Sequence, residues 1–95
     1  MNKTMLKSGK AEVTFELPAE IGAQAASVCG DCDDWVPGAT PLAPRKAGRF
    51  SATLTLAPGR HRFRYLLGDG RWENDWAADD YQRNAQSGDD SVVVV

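Results

Sequence analysis

The chain has 95 residues and carries 11 Lys and Arg against 13 Asp and Glu, a formal charge of −2 with a pI near 5.2. That balance supplies no cationic field for a phosphate backbone and speaks against general nucleic-acid binding. Hydrophobic residues at 42% and charged residues at 25% are ordinary soluble usage, so neither disorder nor membrane residence is expected, and the length suits one domain with a core large enough to fold without metal or disulfide staples.

Residues 1–10 contain Lys3, Lys7 and Lys10 but no apolar run of signal-peptide length. They read as a flexible tail before a single cytoplasmic domain spanning 11–95, and no segment approaches a membrane span. From Ala11 to Leu17 apolar and polar residues alternate strictly, with Ala11, Val13, Phe15 and Leu17 on one side. This is a half-buried strand that Pro18 ends by removing a ladder donor. Ala25 to Gly30 gives a second strand whose inward residues, Ala26 and Val28, are small. Asp31 to Pro44 is rich in Pro, Gly and acidic residues, so irregular surface backbone is expected there.

Phe50, Ala52, Leu54 and Leu56 alternate with Ser51, Thr53 and Thr55, the cleanest strand in the chain. After Pro58-Gly59, the residues Phe63, Tyr65 and Leu67 face one way and Arg62, Arg64 and Leu66 the other, which reads as the hairpin partner of the preceding strand. Gly68-Asp69-Gly70 supplies the positive φ angles of a tight turn, and Trp72 follows. Glu73 to Asp90 is polar and without helical period, a long ordered loop with room for one helical turn at Ala77 to Tyr81. The closing Ser91 to Val95 is β-branched and suits a strand paired inside a sheet. Five to seven short strands with frequent turns predict an all-β, immunoglobulin-like antiparallel β-sandwich of two sheets.

Cys29 and Cys32 stand in a Cys-Gly-Asp-Cys sequence, a spacing shared with redox and half-zinc motifs. A zinc site needs about four ligands, whereas His61 is the single histidine and lies far off, and no helical period follows the pair as a thioredoxin-type motif requires. Both cysteines read as reduced, partly buried side chains. No metal and no cofactor is expected.

The ordered set Gly30-Asp31-Cys32-Asp33-Asp34-Trp35, Gly59-Arg60-His61-Arg62-Phe63-Arg64-Tyr65, Asp69-Gly70-Arg71-Trp72 and Asp90-Ser91-Val92 resembles the glycogen-binding carbohydrate module. This family is also known as the isoamylase N-terminal or early-set domain, and it occurs in branching and debranching enzymes and in the beta subunit of AMP-activated protein kinase. The resemblance runs from about Val13 to Val95 and implies an early-set, immunoglobulin-like sandwich. It also implies that Trp35 and Trp72 stack on α-glucan rings, that Arg64 reaches sugar hydroxyls from the strand between them, and that Asp90 occupies the position of a further hydroxyl partner. The family's asparagine at that last position is an aspartate here, its loop phenylalanine is Cys32, and the aliphatic residue that kinase-type members place near Gln86 or Ser87 is missing.

The chemistry of the side chains agrees with such a ligand. A glucose ring offers C–H faces and a hydroxyl edge; indole supplies the flat apolar surface, guanidinium supplies fixed donors, and Asp33, Asp34 or Asp90 can accept. The bland alternative has both tryptophans packed against the sandwich and Arg64 paired, with Arg62, to acids of a neighbouring strand. Trp76 reads as an anchor for the long loop. Catalysis is not expected. Carboxylates are numerous (Asp33, Asp34, Glu73, Asp75, Asp79, Asp80, Asp89, Asp90), but so small a sandwich has little volume for the cleft that would raise the pKa of one acid, and His61 sits alone between arginines.

The function expected is therefore a non-catalytic module binding α-1,4-linked glucan such as glycogen or starch, in association with a glycogen-metabolising enzyme or regulatory protein. The alternative is a protein-interaction or regulatory early-set domain that has lost the sugar.

Overall fold

A computed structural model of the chain describes residues 1–31, 40–84 and 88–95. Its backbone follows the alternation in the sequence. Strand β2 (Ala11–Leu17) buries Ala11, Val13, Phe15 and Leu17 and turns Glu12, Thr14 and Glu16 outward. It pairs along its whole length with β6 (Phe50–Leu56), from Ala11 opposite Leu56 to Leu17 opposite Phe50. Two short edge strands, β1 (Asn2–Met5) beside β2 and β5 (Ala43–Pro44) beside β6, complete a sheet in the order β1-β2-β6-β5.

The second sheet is built on β7 (Arg60–Leu67) and runs β4-β3-β7-β10-β9, with β3 (Ala26–Gly30), β4 (Thr40–Pro41), β9 (Asp80–Arg83) and β10 (Asp89–Val94). The two-residue strand β8 (Trp72–Glu73) pairs with β7 beyond the end of its contact with β10. Every pairing is antiparallel. The two sheets face each other through Val13 and Phe15 on one side and Val28, Phe63, Tyr65, Leu67 and Val93 on the other. Phe15 meets Phe63 edge-on with ring centroids 4.8 Å apart, and Phe63 meets Tyr65 in the same way at 5.7 Å. The edge-to-face geometry suits the ring quadrupoles. The chain is an all-β, immunoglobulin-like antiparallel β-sandwich. Among the described residues no α-helix is formed, and no helix is long and apolar enough to cross a membrane.

The long strands are the ones the alternation marks; three connections differ from expectation. Residues 1–10 are not a loose tail, because Asn2 to Met5 pair with Thr14 to Ala11. Lys3 Nζ then reaches across to Asp79 Oδ2 at 2.6 Å and to the carbonyl of Val94 at 3.0 Å, tying the first strand of one sheet to the last strand of the other.

Nor do β6 and β7 form a hairpin. They belong to different sheets, and the Pro58-Gly59 turn carries the chain over the end of the sandwich. Gly59 exchanges N–H and C=O hydrogen bonds with Val95, both 2.9 Å, at a φ of 132° that favours glycine. The turn is thus fastened to the end of β10 and sends β7 into that strand's sheet.

The long segment after Glu73 holds no helical turn at Ala77 to Tyr81 and instead contributes β9, an edge strand exposed along its whole length. The Val-rich terminal segment does pair within a sheet, between β7 and β9.

Candidate carbohydrate interface

The alternation of β7 that sends Phe63, Tyr65 and Leu67 inward sends Arg62, Arg64 and Leu66 to the outer face of the six-stranded sheet. Trp72 lies directly opposite Leu66, and directly paired residues share a face. Trp72 is therefore held on that same outer face, 42% exposed.

The turn that delivers it is closed twice, by Gly70 N–H to the Leu67 carbonyl at 2.9 Å and Leu67 N–H to the Arg71 carbonyl at 2.8 Å. Gly70 takes the left-handed φ of 91° that the turn requires. Asp69 braces it from outside, accepting from the Arg71 N–H at 3.0 Å and from Arg71 Nε at 2.7 Å. That backbone N–H, and with it the guanidinium, hold the Asp69 carboxyl below its ordinary range.

The Arg64 guanidinium carbon stands 5.1 Å from the centroid of the Trp72 ring, within cation–π range. Its Nε forms an ion pair with Asp90 Oδ1 at 3.2 Å. Strand register explains the meeting: Ser91 pairs with Phe63, so the next rung sets Asp90 beside Arg64. Asp90 is buried, only 3% exposed. Arg62 Nη1 lies 3.8 Å from its other oxygen, and Asn84 Nδ2 donates to Oδ1 at 3.1 Å. Arg62 is held in turn at Asp31, whose carboxylate accepts the Arg62 backbone N–H at 3.0 Å.

Of the residues expected to bind sugar, Arg64, Trp72 and Asp90 thus form one cluster. Trp35 lies outside the described residues, as do Cys32, Asp33, Asp34, Gln86 and Ser87. Within the cluster Asp90 has a different part from the one expected of it. Its oxygens face two guanidiniums and an amide, so it fixes Arg64 in place over the Trp72 ring. Arg62 completes this support, so the pairing of both arginines with an acid of a neighbouring strand, the alternative weighed from the sequence, is formed; the parts of Asp31 and Asn84 were missed, and nothing in local spacing marks them.

Trp76 also departs from expectation, for it is 63% exposed and does not anchor its loop by burial. The anchor is polar. Asp75 is buried, accepts the Tyr65 phenol at 2.7 Å and the Ala77 N–H at 2.8 Å, and donates its own N–H to Ser91 Oγ at 2.9 Å. His61 is turned to a local backbone group, its Nε2 lying 2.7 Å from the Ala57 carbonyl oxygen.

The outer face therefore combines a half-exposed indole with a guanidinium held beside it, and the charges beneath are mutually neutralised. Such a surface can stack on an apolar ring face and donate hydrogen bonds at its rim. No family model matches this chain, and no curated protein matches it at a significant level.

Proposed function

We propose that the chain is a non-catalytic module that binds α-1,4-linked glucan, of the glycogen-binding type its sequence resembles. The observation that carries this reading is the contact of Arg64 with Trp72 at 5.1 Å on the open face of the sheet. Trp72 stacks on the C–H face of a glucose unit, the outer nitrogens of Arg64 donate to the hydroxyls at its edge, and Trp35 adds a second platform. The site is open to water, so each hydrogen bond contributes about 0.5 to 1.5 kcal/mol. A short oligosaccharide binds weakly, and a branched polymer, which offers many copies of the same unit, is retained by avidity.

Retardation by glycogen in a native gel tests the proposal. Trp72→Ala and Trp35→Ala each sharply lower the retardation while the circular dichroism stays that of the wild type, and Arg64→Ala weakens it. A wild-type protein that runs unretarded sinks the reading.

A second reading, a protein-interaction or regulatory domain without sugar binding, is favoured by one observation: Asp90 is engaged within the protein by Arg64, Arg62 and Asn84. Under that reading a pull-down yields a stable protein partner, and maltoheptaose leaves the tryptophan fluorescence unchanged.

A further inference from the structure

Four residues after Trp72, a second indole stands in water beside a recess of about 220 Å³. Trp76 forms one wall, with Ala77 next to it, and the others come from the opposite sheet: Glu16, Leu17 and Pro18 at the end of β2, and Arg49 just before β6. The loop bearing Trp76 is stiff. On its N-terminal side Asn74 donates to the Asp89 carbonyl at 2.7 Å and accepts from Ser91 Oγ at 2.8 Å. Asp75 is locked to Tyr65 and Ser91, its Oδ1 closes an Asx turn onto the Ala77 N–H, and its carbonyl accepts the Tyr81 hydroxyl at 2.5 Å.

Asn74 and Asp75, the polar side chains flanking the indole in its own loop, are thus engaged by the protein, while the largest apolar side chain of the loop is left outside. Held this rigidly, an exposed aromatic loses little freedom when a ligand covers it.

The polar rim of the recess is available. Arg49 is exposed and has no side-chain ion pair or hydrogen bond among the described residues. Glu16 engages one oxygen, Oε1, in a long contact of 3.4 Å with Asn2. The recess is lined by one cation, Arg49, and two carboxylates, Glu16 at the rim and Asp75 turned to the Tyr65 phenol, a balance that disfavours a phosphate. A flat apolar wall with a donor fork and an acceptor at the edge fits a neutral polyhydroxylated ring.

The geometry points to a second saccharide subsite formed by Trp76, Arg49 and Glu16, in which the indole stacks on a pyranose face while the guanidinium and carboxylate engage its hydroxyls. Its ligand class rests on the reading of the Arg64–Trp72 face as a glucan platform. Four residues of chain cannot separate the Cα atoms of Trp72 and Trp76 by more than about 14 Å, so both rings lie within reach of one polymer. Trp72 faces out from the six-stranded sheet and Trp76 faces the seam between the sheets. A glucan chain turning the corner at β8, or two neighbouring branches, would occupy both, and the linked sites would raise affinity for polymer above that for short oligosaccharides.

The indole N–H signals of the tryptophans in a heteronuclear NMR titration with maltoheptaose resolve the two sites. The expected result is a saturable shift of the Trp76 signal that persists in Trp72→Ala, with a midpoint raised several-fold by Arg49→Ala. A Trp76 signal that stays fixed while that of Trp72 moves overturns the second subsite and leaves the first platform standing. A Trp76 signal that moves while that of Trp72 stays fixed supports the subsite and overturns the first platform. If neither moves, both fall. A midpoint unchanged by Arg49→Ala reduces Trp76 to a bare adhesive ring and overturns the recess as a built site. On glycogen gels, Trp76→Ala, a change at an exposed position, lowers retardation several-fold without abolishing it.

Discussion

Asp90 holds Arg64 from below: the carboxylate is buried, the Nε–Oδ1 separation is 3.2 Å, and the guanidinium it fixes stands over the Trp72 ring. An asparagine at this position, as the resembled family has, would keep the shape and lose the charge that two arginines share. Asp90→Asn is therefore expected to lower stability by about 1 to 2 kcal/mol in urea denaturation. Glycogen retention should fall with it, because Arg64 is released from its position. Unchanged stability would mean that the outer arginines are held by other groups.

Tyr65 and Asp75 make the corresponding arrangement inside the sandwich. Tyr65→Phe removes the donor at 2.7 Å from a buried carboxylate and should cost about 1 to 3 kcal/mol. A pH signature accompanies it. Burial, and then the charge and hydrogen bond of Asp75, push the Tyr65 phenol well above its ordinary 10.0. The unfolded chain thus releases this proton at lower pH than the folded one. The contribution is intact below pH about 10 and is lost above it, by up to about 1.4 kcal/mol per pH unit. Urea midpoints measured from neutral to strongly alkaline pH should fall less steeply in Tyr65→Phe than in the wild type.

Asp79 contributes on the acid side. Burial raises its carboxyl, but the Lys3 ammonium, the Val94 N–H donated at 2.7 Å and the positive charge of the amino terminus outweigh this, and the net displacement is downward from 3.8. The folded state therefore binds this proton less tightly than the unfolded one. The stability it provides is complete above pH about 4 and drains away as the pH falls through the lower folded value. Asp79→Asn should lose about 1 kcal/mol at neutral pH and flatten the acid limb of the stability curve. Hydrogen exchange in Asn2 to Met5 is the local readout, because β1 is the strand that comes loose.

Gly30 is demanded by space. A Cβ there would overlap the Arg62 carbonyl oxygen and stand 2.9 Å from Phe63 Cβ, with backbone on the other side of the clash. Gly30→Ala should destabilise by about 3 kcal/mol and lower the Tm by about 12 °C or more. A thermal melt close to that of the wild type would contradict the close approach of β3 to β7.

The strands legible in the sequence have at least one dry face: β3 and most of β10 are dry on both and show as short apolar or β-branched runs, and the others alternate. Ala11 to Leu17, Phe50 to Leu56 and Phe63 to Leu67 alternate because each lies against the opposite sheet. Asn2–Met5 and Asp80–Arg83 are wet on both faces, so no apolar period marks them, and their strand character comes from the neighbour that accepts their backbone. The mistaken hairpin has a related cause. A two-residue Pro-Gly turn between two alternating runs looks the same whether the chain folds back in one sheet or crosses to the other, and the crossing is decided by Val95, distant in sequence.

At the candidate site, the outward placement of Arg64 followed from strand period, whereas that of Trp72 was implied only by the resemblance, since a ring after a tight turn can equally pack against the sandwich. The inward engagement of Asp90 followed from neither, because it depends on the register of β10 against β7. The exposure of Trp76 was hidden for the same reason: the groups that pin its loop, Tyr65 and Ser91, come from two other strands.

Lys3 and Val94 belong to the first and last strands of the sandwich yet are joined by a single side chain, Nζ to carbonyl oxygen at 3.0 Å. These two strands are thereby drawn to one corner, so a peptide joining β1 to β10 would close the fold into a ring that could be opened elsewhere. The same corner would let the whole unit be spliced into a surface turn of another protein, leaving from nearly the point at which it arrived.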